Sequence, residues 1–158
     1  SGCIIISLLQ ELKQSKGVAI DVSNKAINIA KKNHDVVVGS FLNLDAIAKW
    51  LIKQDRDVIL FCAGWKGRFN LEDTLFAGAL VDLLIASNLY DNSCDAAQAS
   101  VVMWNSAKSD LFSFLKNSSH RKRLSKLNID SDVHFCLKLN QTDKIPILKG
   151  DVLVVDNE

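Results

Sequence analysis

Proline is nearly absent: Pro146 is the only one in 158 residues. That excludes Pro-rich linkers and polyproline recognition tracts. No stretch approaches the ~20 apolar residues that a membrane-spanning helix requires. The run Ser1-Gly2-Cys3-Ile4-Ile5-Ile6 is too short and lacks the basic start of a signal peptide. Charge of one sign is also missing. Nineteen Lys and Arg face eighteen Asp and Glu, for a net +1, so nothing draws the whole chain to nucleic acid or an anionic surface. Aromatics interleaved with a basic stripe are absent as well, which argues against nucleic-acid binding. The four cysteines, Cys3, Cys62, Cys94 and Cys136, are far apart and form no C-x-x-C pair. This spacing argues against a zinc site or a disulfide framework and for a reduced, cytoplasmic setting, with each thiol read as a small core residue. No repeat of fixed period suggests a solenoid.

What remains is an ordinary globular balance. Hydrophobic residues make up 48% and charged residues 23%, enough apolar material for one domain spanning 1–158. Periodicity leaves residues 3–6 open between a strand and the start of a helix reaching Gln14. Gly17–Val22 reads as a strand, followed by a helix capped by Ser23 and ending near Asn33. Asp35–Gly39 is the next strand. A helix opened by Asn43 or Asp45 carries Ile47, Ala48, Leu51 and Ile52 on one face. Arg56–Ala63 is a strand, and a helix follows over Leu71–Ser87. Alternation of this kind predicts an α/β fold whose sheet is mostly parallel or mixed. A C-terminal helical excursion comes next: a long helix over Asp95–Lys116, a basic one starting at Ser118, and one over Ser131–Leu139. Two short strands, Lys144–Leu148 and Asp151–Val155, close the chain around a Lys149-Gly150 turn.

The densest chemistry lies between Phe61 and Leu80. A strand ends near Gly64, and a loop bearing Lys66, Gly67 and Arg68 follows. Asn70 then opens a helix with Glu72 and Asp73 in its first turn. A glycine- and cation-bearing loop running into a helix N-terminus, beyond a strand's carboxyl end, is a natural anion site. Glu72 and Asp73 are suited to a divalent metal, although acids are favoured in a first helical turn for electrostatic reasons alone. Arg68 suits forked recognition of an oxyanion, and Lys66 reads as a solvated loop charge. Gly64 and Gly67 permit positive φ or close approach of backbone N–H groups, but their spacing matches no phosphate-loop pattern. Cys62 is either a buried strand residue, the reading we favour, or a nucleophile near a helix N-terminus. His120, with Ser119, Arg121, Lys122 and Arg123 around it, is either a second anion site or an exposed basic face. His34 reads as a surface residue and His134 as a helix-face residue. Trp50 and Trp104 fit helix core positions, and Trp65 lies in the glycine loop.

The run Cys62-Ala-Gly-x-x-Gly67-Arg-Phe-x-Leu-Glu72-Asp73-Thr-Leu-x-Ala-Gly78-Ala-Leu resembles the signature of the 2-phosphosulfolactate phosphatases. Val38–Asn43, Ser118-Ser119-His120, Asp132-Val-x-Phe135-Cys136 and Thr142-Asp143-x-x-Pro146 match the same family in the same order, over roughly residues 26 to 155. The resemblance implies a three-layer α/β/α fold and an Mg²⁺-dependent hydrolase that converts 2-phospho-3-sulfolactate to 3-sulfolactate, on the route to coenzyme M and related sulfonates. It implies Glu72 and Asp73 as metal ligands and catalytic groups, and His120 as a substrate contact or proton-transfer group. Gly64, Gly67, Arg68 and Ser119 would hold an anionic part of the substrate. The implied partner is a small phosphate- and sulfonate-bearing molecule, with no nucleic acid and no membrane; a homo-oligomer is left open. The family pattern also has an Asp-Val-x-Arg-Ala type motif, which Ile20-Asp21-Val22-Ser23-Asn24 echoes only in part. A second reading therefore stands beside the first: a catalytically degenerate relative that binds an anion or a protein. An unrelated nucleotide-binding α/β domain ranks last, for want of a motif.

Overall fold

A computed structural model describes residues 3–8, 17–21, 35–66, 68–125, 130–150 and 152–156. Its strands are β1 (Cys3–Leu8), β2 (Gly17–Asp21), β3 (Val36–Gly39), β4 (Asp57–Cys62), β5 (Asp91–Asn92), β6 (Ile145–Lys149) and β7 (Val152–Asp156). Its α-helices are α1 (Leu44–Gln54), α2 (Leu71–Ala86), α3 (Asp95–Ala107), α4 (Leu111–Phe114), α5 (Ser119–Leu124) and α6 (Asp130–Cys136). Short 3₁₀ turns cover Phe41–Asn43 and Leu115–Asn117. The helix expected between Ser23 and Asn33 lies outside the described residues, as does His34.

The chain is α/β, and its sheet is mixed, in the order β5-β2-β4-β1-β3-β6-β7. The mostly parallel sheet suggested by the alternation does not form. β1 lies antiparallel between β3 and β4, and the C-terminal hairpin adds two more antiparallel pairings. Among the described residues, only β2 pairs in parallel, with β4 and β5. Strand direction is set by which neighbours a strand finds, and the order of strand and helix segments along the chain does not specify those neighbours. One consequence positions the site. Both β3 and β4 oppose β1, so they run the same way, and Cys3 pairs with Gly39 on one side and Cys62 on the other. The loops that follow β3 and β4 therefore leave the same edge of the sheet.

α2 is buried on nearly every side, with Leu75, Ala77, Leu80, Val81 and Leu84 all under 1% exposed. A helix that is apolar all round belongs in a core. Its neighbour α3 approaches closely at Gly78, which faces the Ser100 carbonyl and Trp104. Phe41 packs edge-on against Phe76 (5.7 Å) and stacks with Trp104 (6.0 Å), tying the β3 loop to both helices. Tyr90 Oη donates to the Leu51 carbonyl (2.9 Å) and joins α1 to the same core. Residues 3–6 resolve as strand.

The single helix expected over Asp95–Lys116 breaks after Ala107. The Asp110 side chain accepts from the Ser113 N–H (3.0 Å), so an N-cap restarts the helix where apolar periodicity alone reads straight through. Two thiols also depart from expectation: Cys62 is buried, but Cys94 is half-buried and Cys136 exposed. Among the described residues, no helix is long and apolar enough to cross a membrane.

Candidate active site

Asn43 fixes the first loop of the site. Its side chain accepts from Ser40 N (2.9 Å) and donates to the carbonyls of Val38 (3.3 Å) and Lys144 (3.0 Å). One buried amide thus joins the end of β3 to the approach of β6. Ser40 and Phe41 are held facing the start of α2.

The second loop, after β4, is a tight turn. Trp65 N donates to the Arg68 carbonyl (3.1 Å), and Arg68 N donates back to Trp65 (3.0 Å). Gly64 has φ +66°, and a Cβ there would lie 2.5 Å from the Arg68 carbonyl oxygen, so only glycine fits. Lys66 also takes a positive φ of 51°. Gly67 lies outside the described residues. The Gly64 N–H points into the protein and donates to Asp73 Oδ2 (2.8 Å). The hydrogen bond to Asp73 thus occupies the N–H that the sequence suggested for an anion.

α2 begins at Leu71, where Asn70 Oδ1 accepts from Glu72 N (3.0 Å) and the Asn70 carbonyl accepts from the Thr74 hydroxyl (2.9 Å). Glu72 and Asp73 are 8% and 2% exposed, far from the solvated first-turn acids of a surface helix. Glu72 Oε1 accepts from the Ser118 hydroxyl (2.5 Å), which in turn accepts from Arg121 N (3.1 Å). Asp73 Oδ1 is buried with no hydrogen-bond partner among the described residues. Burial pushes the Asp73 carboxyl above its ordinary range; the Gly64 N–H opposes that shift, and neighbouring Glu72 adds to it.

α5 supplies the next group. Burial pulls the His120 imidazole below its ordinary value, with Glu72 opposing. An Arg123 guanidinium nitrogen lies 3.1 Å from His120 Nδ1. Arginine can only donate, so Nδ1 accepts, and the neutral ring carries its proton on Nε2.

These residues form two adjoining clefts. The first, about 170 Å³, is lined by Ser40, Phe41, Glu72, Asp73, His120 and Arg121, and closed by Asp132, Val133 and Cys136 of α6. The second, about 510 Å³, is lined by Trp65, Lys66, Arg68, Phe69, Ser119 and Arg123. The structure thus brings Glu72, Asp73 and His120 together, and places Arg68 and Ser119 next door with Lys66. Sequence reasoning missed the Ser118 hydroxyl as the partner of Glu72. The available signal was that Ser118 is the N-cap of the basic helix, which puts its oxygen at that helix's buried end.

No group of three or more His, Cys, Asp and Glu among the described residues is placed to hold a metal. The site offers a carboxylate pair, one oxygen of which lacks a partner among the described residues. Such a set fits a hydrated Mg²⁺, which keeps several waters and takes only one or two carboxylates.

Comparison with known proteins is consistent with this geometry. A probable 2-phosphosulfolactate phosphatase of Caldanaerobacter subterraneus subsp. tengcongensis is 27% identical over 150 residues, 94% of this chain and 62% of the relative. The Thermotoga maritima protein of the same description is 33% identical, over 92% of this chain and 63% of its own length. That of Thermotoga petrophila is 36% identical, over 78% and 52%. The chain spans about 60% of the length of the first two relatives. The family model described as 2-phosphosulpholactate phosphatase matches residues 7–151, most of the chain, and on that match the chain belongs to this family.

Proposed function

We propose that the protein is an Mg²⁺-dependent phosphatase that hydrolyses 2-phospho-3-sulfolactate to 3-sulfolactate and inorganic phosphate, in sulfonate metabolism of the coenzyme M type. A cytoplasmic setting, a layered α/β/α arrangement and self-association belong to the same proposal. The observation that carries it is Asp73 Oδ1, a buried carboxylate oxygen beside Glu72 and His120 that has no hydrogen-bond partner among the described residues. A buried charge is retained only where something compensates it.

Asp73 and Glu72 are the residues that would hold the cation. When bound, it would neutralise phosphate charge and lower the pKa of coordinated water. The Gly64 N–H and the Ser118 hydroxyl fix the two carboxylates in place. His120 Nε2–H donates a hydrogen bond to the bridging ester oxygen. As the P–O bond breaks, that oxygen takes one proton from the attacking water, whose hydroxyl ends on phosphorus, and the neutral ring keeps its own proton. Arg123 holds the ring in that tautomer. Arg68 and Ser119 take an anionic part of the substrate from the neighbouring cleft.

Phosphate release from 2-phospho-3-sulfolactate, measured against Mg²⁺ concentration, tests the reading. Activity that saturates with Mg²⁺, and that Asp73→Asn abolishes, is the expected result. Turnover indifferent to both Mg²⁺ and Asp73 refutes it. Complete absence of turnover with anion binding retained would favour the degenerate relative.

A further inference from the structure

Cys62 is a buried thiol for which the hydrolytic reading has no role. It is the last residue of β4, and Gly64, just beyond it, donates to Asp73. The sheet gives it a particular neighbour. In the antiparallel pairing of β1 with β4, Cys3 stands directly opposite Cys62. Two cysteines far apart in sequence thus share one rung of the ladder, which no spacing along the chain announces. Directly opposed residues of an antiparallel pair have Cα atoms about 4.5 or 5.5 Å apart, according to whether the rung is hydrogen-bonded. A disulfide spans Cα separations of about 4.4–6.8 Å, so either kind of rung admits one. On its other side Cys3 pairs with Gly39, which brings no side chain to the rung.

We propose that Cys3 and Cys62 are a redox modification site, which a peroxide converts to a cross-strand disulfide and a dithiol restores. One thiolate attacks a peroxide oxygen, the O–O bond breaks, and the departing hydroxide takes a proton and leaves as water. The sulfenic acid so formed is attacked by the second sulfur; the S–O bond breaks, and a second water leaves with the remaining proton. In sum, two thiols and one hydrogen peroxide give one disulfide and two waters. Hydrogen peroxide is small, which suits a sulfur buried at the end of a strand. The reverse step is thiol–disulfide exchange, in which the incoming dithiol is oxidised. In a reducing compartment such a pair rests as thiols and links only when oxidant rises. The link has a direct route to the site. It lies at the sheet edge from which the loops after β3 and β4 leave, and it pins the strand end that leads into Gly64 and its hydrogen bond to Asp73.

The test uses the full chain. The folded protein is treated with hydrogen peroxide, its remaining thiols are alkylated, and it is digested with trypsin without reduction. The expected product is the peptide that ends at Lys13 joined to peptide 57–66, lighter by two hydrogen atoms than the two thiol peptides together. Dithiothreitol should return both thiols. Oxidation in urea, where the register is lost, should scatter the links over all four cysteines. Recovery of the two peptides unlinked after native oxidation, or of Cys62 as a sulfinic acid, overturns the proposal. A Cys3–Cys62 link that dominates equally in urea does the same, because the folded rung would then have no part in it. The second readout is amide exchange. Exchange at Gly64 should slow about tenfold in the oxidised protein and return with dithiothreitol, and Cys3→Ser should abolish both the link and the slowing. Exchange at Gly64 that ignores the link overturns its connection to the site.

Discussion

Gly78→Ala sets two physical effects against each other. Within a helix, alanine is favoured over glycine by about 1 kcal/mol, so propensity alone predicts a more stable protein. The packing predicts the opposite. A methyl on Gly78 would collide with the Ser100 carbonyl oxygen, and would sit 2.5 Å from its carbon and 3.0 Å from Trp104 Cβ. The obstacle is backbone of a helix whose Ala97, Ser100, Trp104 and Ala107 are buried, so it cannot swing aside like a surface side chain. Overpacking a dense core costs about 1–3 kcal/mol and occasionally more. Backbone contact places this case at the upper end, so the net loss after propensity is about 2 kcal/mol. For a chain of this size that corresponds to a fall in Tm of about 4–8 °C. Scanning calorimetry and urea unfolding at constant m provide the measurement. Ala99→Gly, at an exposed interior position of α3, calibrates the propensity effect on its own. Gly78→Ala would also push α2 away from α3, and α2 carries Glu72 and Asp73 in its first turn, so the Mg²⁺ affinity proposed for that pair should drop with stability. A Gly78→Ala protein with unchanged or higher Tm would refute the close approach of the two helices.

Three further outcomes are expected. Without metal, Asp73 has a folded pKa above its unfolded value of 3.8, so the folded state holds its proton longer and this residue's contribution to stability falls as pH rises above that point. The stability difference between wild type and Asp73→Asn should therefore shift against the wild type from about pH 4 upward, and a pH-independent difference in chemical denaturation contradicts it. Ser118→Ala removes the hydroxyl that links Glu72 to the Arg121 N–H, and should cost about 1–3 kcal/mol by denaturant titration. A loss below ~0.3 kcal/mol would mean that water replaces the link. Asn43→Ala leaves the Ser40 N–H and two carbonyls without their partner, and should cost about 2–3 kcal/mol while speeding amide exchange at Ser40; unchanged exchange would show that the loop is held by other means.

Local signals made much of the architecture readable. Asn70 before an apolar run announced α2, and the Lys149-Gly150 turn announced the final hairpin, where Gly150 takes φ +63°. Neither needed information from distant residues. The break at Asp110 was equally local but was overridden by the apolar periodicity that continues through Leu111, Phe114 and Leu115. Strand direction was not readable, because β1 becomes the antiparallel centre of the sheet only when β3 and β4 close on both its sides.

The same division holds at the site. The order of residue types determined that two acids would open α2 behind a glycine turn, and it carried the family signature. Burial was decided elsewhere. The apolar run after Asp73 marks the body of α2 as core, but an acid in a first helical turn is ordinarily solvated, and the run does not say that this turn is covered. The loop after β4 donates to Asp73 through Gly64 N, and distant chain brings Ser118 to Glu72 and His120 to the same cleft. The pairing of Glu72 with Ser118, 46 residues away in sequence, exists only because tertiary packing brings the two helix starts together.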